Sequence, residues 1–557
     1  MSTRSTEVST RSKERWLLIF GVFAVAVAHA ASYRFINDDA FISFRYAENW
    51  ALHGEPVYNL GDPVEGYTNF LWVALIALAI KLSLDPVITS QLLGLAFALG
   101  TLALLCRGWR GRTEQDREER ADETEPAAEP AAEPAAESNA SELDPSGVEE
   151  AAPMPSHPAQ TPPLLSPPEG LTAALLLAIA PAYACWSTGG LETQAFTFFS
   201  TAALLTWLTG GRARILGGGL LALAAMTRPE GLLIFGLIGL WRLIELIRAR
   251  RRPAGTDWAW GLCFAALYLP YFIWRWRYYG YPLPNTYYVK SGATGAWRPG
   301  LRYLWSWIDL HGLYWAPLCL LSVARLRQGG GLLLLFTTAL ALHVVRVGGD
   351  FMELHRFLVP LMPCVAILVS PALYALWRRH LWRTRSFTML AALTLAGALT
   401  LRLYHTHQRA LRIGSERGVD SIGWLDQFAG QCAAIGRWIR ENTPPEATLA
   451  TTAAGTIPFY AQRKTLDLLG LNDEWIAHEV PARGNRPGHT KSAPFEYPID
   501  QQVDYLIYHP TISERAPRPP GRLRRALEAR GYRWERHEIP GMRPRWWGVW
   551  RRVERAP

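Results

Sequence analysis

Two adjacent carboxylates, Asp38 and Asp39, follow the first long apolar segment of the chain. A carboxylate is costly in hydrocarbon, so we expect this pair in water or in a site rather than in lipid. A positioned carboxylate can accept the proton of a hydroxyl group and so act as a general base. The pair can also begin a helix near Ala40 as its N-terminal cap, and the two roles are compatible.

Short loops between the apolar segments carry further polar side chains. These side chains are acidic, basic, amide or phenolic and belong to Glu65, Tyr67, Asn69, Glu192, Arg228, Glu230, Asn285, Tyr287, Asp350, His355 and Arg356. Guanidinium groups bind phosphate in a bidentate manner, which makes Arg228 and Arg356, together with His355, candidates for a phosphate site. Plainer roles stay open, because Arg228 can snorkel at a hairpin tip and His355 can bond to a backbone group. Glu192 and Asp350 follow pairs of glycines and can belong to turns or helix caps.

The apolar residues of the chain are gathered in blocks. The blocks lie near residues 15–33, 66–82, 86–106, 169–187, 191–209, 229–247, 258–275, 311–326, 330–347, 356–377 and 386–403. A helix of about 20 apolar residues crosses a bilayer, so this pattern predicts a polytopic α-helical membrane protein. Many of the 24 Trp and 21 Tyr residues stand at the ends of the blocks, as is typical of membrane interfaces. The first block has a basic flank but no convincing cleavage site, which favours a retained helix over a signal peptide.

Basic residues in the loops predict the side of the membrane that each loop occupies. Those at positions 4, 11, 13 and 15 precede the first block, so we expect the N-terminus in the cytoplasm and the Asp38-Asp39 loop outside. The segment between Arg214 and Arg248 then forms a hairpin with Thr227-Arg228-Pro229-Glu230-Gly231 at its outer tip. The block at 66–82 has to be re-entrant or interfacial for the count to close at about eleven crossings. The polar motifs then collect on the outer face.

Two stretches stand apart from the membrane part, which covers residues 1–112 and 169–403. Residues 113–168 repeat the unit Glu-Pro-Ala-Ala and contain few large apolar residues, so they predict a disordered acidic linker in the cytoplasm. Residues 404–557 alternate strand-like and helix-like segments and predict a small soluble α/β domain outside the membrane.

Composition argues against several other classes of protein. The six Cys are scattered, and five lie in or at the ends of apolar blocks, so neither a disulfide framework nor a metal cluster is indicated. The net charge of +9 arises from basic residues in loops and in the tail, where membrane orientation explains them better than nucleic-acid binding. No cofactor is certain, although Asp38 and Asp39 could hold Mg²⁺ or Mn²⁺, since hard cations prefer oxygen ligands.

The motifs around these polar residues resemble those of one family. They are Asp38-Asp39-Ala40-Phe41-Ile42-Ser43-Phe44-Arg45-Tyr46, Val64-Glu65-Gly66-Tyr67-Thr68-Asn69-Phe70-Leu71-Trp72, Gly190-Leu191-Glu192-Thr193, Thr227-Arg228-Pro229-Glu230-Gly231, Pro284-Asn285-Thr286-Tyr287-Tyr288, Gly348-Gly349-Asp350-Phe351-Met352 and Gly488-His489-Thr490-Lys491. With these motifs the chain resembles the GT-C superfamily of polyprenyl-phosphate-sugar-dependent glycosyltransferases. Within that superfamily it looks like the AftB-type arabinofuranosyltransferases of bacterial envelopes, from about residue 15 to 500 without the linker.

The resemblance implies a membrane enzyme that takes a sugar from a lipid phosphate carrier on the outer face. In such enzymes an acidic residue of the first external loop is catalytic, which here is Asp38 or Asp39. Arg45, His489 and Lys491 become candidate substrate-binding residues through the motifs alone. The chain departs from this pattern in its acidic linker and in having Glu353-Leu354-His355 before Arg356, where related chains tend to be shorter. This departure leaves the role of His355 and the identity of the sugar open.

We therefore expect an inner-membrane glycosyltransferase, in contact with membrane lipids, that moves a sugar from a polyprenyl-phosphate donor to an envelope glycan or lipid. A lipid or glycan transporter or flippase is the alternative, because intramembrane charge also marks transport paths. Against transport, the charges lie at one face rather than at the midplane, no inverted repeat is visible, and a sizeable outer domain is attached. A binding module on a membrane anchor would not explain the Asp38-Asp39 loop.

Overall fold

A computed structural model describes residues 2–108, 165–290, 297–311, 329–380, 385–484, 489–519 and 521–553 of the 557-residue chain. The predicted linker lies outside the described residues except for 165–168. The apolar block at 311–326 lies outside them except for His311, and so does Gly488 of the Gly-His-x-Lys motif.

Most of the described chain up to Leu411 is helical, as predicted. The α-helices of this part are α1 (Ser2–Ser32), α2 (Asp38–His53), α3 (Phe70–Lys81), α4 (Pro86–Cys106), α5 (Pro167–Ala178), α6 (Pro181–Cys185), α7 (Thr193–Thr209), α8 (Ala213–Thr227), α9 (Glu230–Ala249), α10 (Gly255–Tyr279), α11 (Asn285–Lys290), α12 (Trp297–His311), α13 (Gly330–Val347), α14 (Met362–His380) and α15 (Arg385–Leu411). A 3₁₀ helix, Arg356–Leu361, leads into α14.

Four helices within the described ranges are long and apolar enough to cross a membrane, judged by length and composition alone. They are Lys13–Ser32, Pro86–Cys106, Gly330–Val347 and Arg356–Arg379. The count of about eleven crossings stays a prediction. Helix α3 has 12 residues and is therefore about 18 Å long, which is too short to cross a hydrocarbon core of about 30 Å. Its re-entrant or interfacial placement is compatible with that length and stays a prediction as well.

Two apolar blocks, 169–187 and 356–377, do not form single α-helices. The first is broken because Pro181 lacks a backbone N–H and disfavours helical conformation at the residue before it. The second begins as a 3₁₀ helix that contains a proline. These broken segments lie against each other, since the Trp186 indole donates a hydrogen bond of 3.1 Å to the Leu354 carbonyl oxygen.

Beyond Leu411 the chain folds around a six-stranded mixed β-sheet. Its strands are β3 (Thr448–Thr451), β4 (Lys464–Asp467), β5 (Tyr505–Tyr508), β6 (Ile512–Ser513), β7 (Tyr532–Glu538) and β8 (Trp546–Arg552), preceded by a hairpin of β1 (Ser415–Glu416) and β2 (Val419–Asp420). Strand β3 lies parallel to β4 and β5, and β8 pairs antiparallel with β5, β6 and β7. The helices are α16 (Ile422–Asn442), α17 (Thr456–Ala461), α18 (Glu474–Glu479), α19 (Tyr497–Asp500) and α20 (Gly521–Glu528).

The sheet domain and the membrane part share a hydrophobic core. Helix α15 continues through residue 404 to Leu411, so the chain has no loop at the boundary placed there from the sequence. Leu425 and Ala454 are buried in the same cluster as Phe41 of α2. The C-terminal part is therefore packed directly on the helix that carries the two adjacent carboxylates.

Candidate active site

Asp38 and Asp39 form the first turn of α2, and Asn37 before them is its N-cap. The Asn37 side-chain oxygen accepts a hydrogen bond of 3.0 Å from the Ala40 N–H, and its amide donates to the Gly189 carbonyl oxygen. The cap role that stayed open for the two carboxylates therefore belongs to Asn37. Both carboxylates are left for other partners, and their charge is favourable at the positive end of the helix dipole.

The Asp38 carboxylate binds the N-terminus of α17 in the sheet domain. Its two oxygens accept hydrogen bonds from the N–H groups of Gly455 at 3.2 Å and Thr456 at 2.8 Å. Burial raises the pKa of Asp38 to about 6; these hydrogen bonds oppose the shift, and the charge of Asp39 adds to it. Asp38 thus links α2 to the sheet domain.

The Asp39 carboxylate makes no hydrogen bond and no ion pair with any residue that the structure describes, but it interacts electrostatically with Lys290 at the end of α11. The Lys290 ammonium group likewise has no hydrogen-bonded or ion-paired partner in the described ranges. The Lys290 side chain is exposed to solvent, and the protein atoms around it partly desolvate the ammonium group. Burial lowers the pKa of Lys290, and the opposing charges of Asp39 and Asp350 do not cancel this effect.

Lys290 interacts with charged residues from three other parts of the chain. Besides Asp39 they include Asp350, Arg228 and Arg356. Lys290 was not among the candidate residues predicted from the sequence, although it stands only two residues after the motif that ends at Tyr288. The signal that could have identified Lys290 is the position of a basic residue shortly after a polar motif.

Arg228 lies between α8 and α9, where the hairpin tip was predicted, and forms ion pairs with two carboxylates. Its guanidinium group is 3.0 Å from Glu192 and 2.9 Å from Glu230. Glu192 also accepts a hydrogen bond of 3.0 Å from the Asn69 amide, which in turn donates to the Ser43 hydroxyl of α2. The side chain of Glu192 makes no capping hydrogen bond, so the network with Arg228 describes it better than a cap role.

A second ion pair joins Arg356 and Asp350 at 2.8 Å, and both residues are buried. The Arg356 guanidinium lies 5.0 Å from the centroid of the Phe357 ring, and that of Arg228 lies 5.0 Å from the same ring. One aromatic side chain therefore brings the two guanidinium groups together. We refer to the set Asp39, Glu192, Arg228, Glu230, Lys290, Asp350 and Arg356 as the polar cluster.

His355 precedes Arg356 but has a different electrostatic character. Its backbone is left-handed, with φ of 52°, and its Nε2 lies 2.7 Å from the Ser306 hydroxyl oxygen. Burial lowers the pKa of His355 to about 3, and the charges of His311 and Arg409 add to this shift. A neutral imidazole gives a phosphate little electrostatic stabilisation, so the geometry favours the plainer role, in which His355 fixes its loop.

Arg45, a candidate from the first motif, directs its hydrogen bonds to protein groups. The buried guanidinium donates to the carbonyl oxygens of Tyr58 at 2.6 Å, Arg463 at 2.8 Å and Pro458, and to the Asn59 side chain at 3.3 Å. These contacts use four of the five N–H donors of an arginine. Arg45 therefore has a positioning role between α2 and the sheet domain.

Three further candidates are held by internal contacts. Glu65 forms a buried ion pair with Arg275 of α10, and the Tyr67 hydroxyl lies 3.0 Å from that of another buried tyrosine. The Asn285 amide donates to three carbonyl oxygens of residues 470–473 at 3.0 to 3.1 Å. These contacts orient α10 and α11 and leave little capacity to bind a substrate.

Tyr287, His489 and Lys491 lie at the periphery. The Tyr287 ring is largely exposed, and the Lys491 ammonium donates a hydrogen bond of 2.6 Å to the Ala477 carbonyl oxygen. The His489 ring packs edge to face on Phe351 at 4.9 Å, next to Asp350 of the polar cluster. His489 therefore approaches the cluster through Phe351.

A metal ion at the Asp pair stays a hypothesis. Among the residues with described placement, no group of three or more His, Cys, Asp and Glu side chains is arranged to hold one. Both oxygens of Asp38 already accept backbone hydrogen bonds, which leaves Asp39 as the open oxygen ligand of the pair.

The fold is shared with a protein of known crystal structure. Crystal structures of ArnT from Cupriavidus metallidurans, bound to undecaprenyl phosphate and in the apo state, match 97% of this chain and 98% of their own. The TM-scores are 0.54 and 0.52 at 12% sequence identity. The chain therefore shares the fold of ArnT, and the resemblance predicted from the sequence is confirmed.

The sequence is similar to a terminal β-(1→2)-arabinofuranosyltransferase from Corynebacterium glutamicum. The two are 28% identical over 356 residues, which are 59% of this chain and 46% of the relative. The match thus spans about half the length of that relative. Residues 423–550, from α16 to β8, match the family model described as Domain of unknown function (DUF8728).

Proposed function

We propose that the protein is an integral membrane glycosyltransferase that moves a sugar from a polyprenyl-phosphate donor to a glycan or lipid acceptor of the cell envelope. One observation carries the proposal. Within the described residues, the carboxylate of Asp39 and the ammonium group of Lys290 both lack hydrogen-bonded partners, and they interact beside the guanidinium groups of Arg228 and Arg356. A free base next to three cations suits proton transfer beside a phosphate.

The reaction that fits this arrangement is displacement at the anomeric carbon of the donor sugar. The acceptor hydroxyl gives its proton to the Asp39 carboxylate while its oxygen forms a bond to that carbon. The bond between the carbon and the phosphate oxygen breaks, and the lipid phosphate leaves with the electron pair. Lys290, Arg228 and Arg356 stabilise the negative charge that develops on the phosphate.

The two adjacent carboxylates take different roles in this proposal. Asp38 already accepts two backbone hydrogen bonds from α17, one on each oxygen, and these bonds fix its carboxylate against the sheet domain. Asp39 has no such contact among the described residues and is assigned as the base. Asp38 is assigned as a positioning residue that holds the first turn of α2.

The donor and the location are proposed from the relatives and the loop charges. The ArnT structure contains undecaprenyl phosphate, and the C. glutamicum relative is named for arabinofuranosyl transfer, which supports a polyprenyl carrier and an arabinofuranose unit. The basic loops support transfer on the outer face of the cytoplasmic membrane, with the N-terminus inside, about eleven crossings and the C-terminal domain outside.

Transfer from radiolabelled polyprenyl-phosphate sugars by full-length protein in liposomes tests the proposal. We expect transfer by the wild type and a fall in kcat of about 100-fold or more in Asp39→Asn, because a positioned base contributes about 10²- to 10⁴-fold. Asp38→Asn should combine a smaller fall with lower thermal stability. No transfer across a broad donor panel, together with movement of labelled lipid between leaflets, would instead indicate a flippase.

A further inference from the structure

We propose that an exposed aromatic surface beside the polar cluster binds a neutral sugar chain of the acceptor; this inference rests on the proposed function. The surface is formed by α11 and α18 with their flanking residues. Its rings are Tyr281, Tyr287, Tyr288, Trp475, His478 and Tyr497, which we call the aromatic surface.

The rings of the aromatic surface are held by one another. His478 lies between Tyr281 and Tyr288, with ring centroids 4.5 and 4.3 Å away. Trp475 stacks on Tyr497 with centroids 4.4 Å apart and an interplanar angle of 20°. Rings that are fixed before a ligand arrives lose little conformational freedom on binding.

Two of the rings are open to solvent. The exposed fractions are 53% for Tyr287 and 42% for Trp475. Flat apolar ring faces pack against the C–H groups of a sugar, while the polar edges of Trp and Tyr stay available for hydrogen bonds. Tyr287 stands three residues before Lys290 and hence about one turn away on α11, so the aromatic surface begins beside the polar cluster.

Carboxylates around the rings indicate which ligand charge the aromatic surface can accept. Glu474 accepts a hydrogen bond of 2.6 Å from the Tyr281 hydroxyl, and Asp473 accepts one of 3.0 Å from the Tyr497 hydroxyl. Glu479 also interacts electrostatically with Tyr281. Carboxylates accept hydrogen bonds from sugar hydroxyl groups and repel anions, so a neutral glycan fits the surface and an acidic polymer does not.

Exposed Trp and Tyr side chains also line membrane interfaces, which is the competing explanation. The carboxylates argue against it, because Glu474 and Glu479 are exposed next to the rings and would repel anionic lipid headgroups. A glycan also explains why the surface lies next to Lys290, since an acceptor must reach the polar cluster with one hydroxyl group while the rest of its chain is held outside.

Direct binding of neutral arabinan oligosaccharides of about six sugars to the full-length protein in nanodiscs tests the inference without requiring transfer. We expect Trp475→Ala and Tyr287→Ala to weaken binding roughly two- to tenfold, the range typical of one aromatic contact. Trp258→Ala is the matched control, because Trp258 is 65% exposed at the start of α10, outside this surface. Its binding should equal that of the wild type.

The steady-state kinetics should show the same division. For a long acceptor we expect Trp475→Ala to raise KM without changing kcat. For a single-sugar acceptor we expect the same substitution to change neither KM nor kcat.

Wild-type protein that fails to bind the oligosaccharide, or that binds polygalacturonate equally well, would overturn the inference. If Trp475→Ala lowered the thermal stability of the protein in bilayers but left oligosaccharide binding unchanged, the aromatic surface would be a membrane anchor instead. Oligosaccharide binding without any transfer would contradict the proposed function but not the binding surface.

Discussion

Asp38 and Arg45 bind opposite ends of the same short helix, α17. They stand at positions 38 and 45 of α2 and thus about two turns apart on one face. Asp38 accepts hydrogen bonds from the N–H groups at the start of α17, and Arg45 donates to carbonyl oxygens near its end. Each charge meets the end of the helix dipole that it favours. Two residues that the sequence indicated for catalysis and substrate binding thus hold the sheet domain on α2.

Replacing Arg45 by Met should destabilise the protein by about 3 kcal/mol. The change removes the donors of several buried acceptors between α2 and the sheet domain, and one unsatisfied buried group costs about 1 to 3 kcal/mol. Thermal unfolding of purified protein measures the effect. Arg536→Met is the control, because Arg536 is exposed on β7. Equal unfolding temperatures for the two variants would contradict the positioning role of Arg45.

Asp38 should make the stability of the protein fall as pH rises from about 4 to 7. Its folded-state pKa of about 6 lies above its ordinary value, so the folded chain binds this proton more tightly than the unfolded chain does. The contribution is fully present below the ordinary pKa and is lost as pH rises through 6, by at most about 3 kcal/mol.

Asp38→Asn removes the titrating group, so its free energy of unfolding should vary less with pH than that of the wild type. Asp500→Asn, at an exposed position of α19, should keep the wild-type profile. Denaturant unfolding at several pH values between 4 and 7 measures the three profiles. If Asp38→Asn and the wild type gave parallel profiles, Asp38 would have no raised pKa.

Gly455→Ala should separate α17 from α2 and lower transfer activity. A Cβ atom at Gly455 would lie 1.8 Å from the Asp38 carbonyl oxygen, a backbone atom that cannot move alone. Because Asp39 follows directly, the shift would displace the proposed base. Gly430→Ala in α16 is the control, since a Cβ atom there meets nothing within 4 Å. Membrane insertion should be normal in both variants, and equal kcat values would argue against this contact as a determinant of the site.

The sequence predicted polar positions more successfully than it predicted their partners. The hairpin tip at Arg228 was readable because a proline and a glycine follow it between two apolar segments. Asn285 shows the limit, because its amide binds carbonyl oxygens 185 to 188 residues away. A residue type reveals a capacity for hydrogen bonds, whereas the choice between a substrate and a distant backbone depends on tertiary contacts. For the same reason a proline inside an apolar block indicates a break at Pro181, whereas nothing in the sequence indicates the contact between Trp186 and Leu354.

Lys290→Met should raise KM for the lipid-phosphate donor about ten- to hundredfold. Hydrogen bonds to charged groups contribute about 1.5 to 3 kcal/mol, and within the described residues no protein group competes for this ammonium group. Lys290→Arg keeps the charge and should recover part of the affinity.

Lys491→Met is the matched control, because the Lys491 ammonium already donates to the Ala477 carbonyl oxygen, and it should leave donor KM unchanged. Initial rates over a range of donor concentrations measure all three variants. Unchanged donor KM in Lys290→Met would remove Lys290 from the phosphate site and leave Arg228 and Arg356 as its cations.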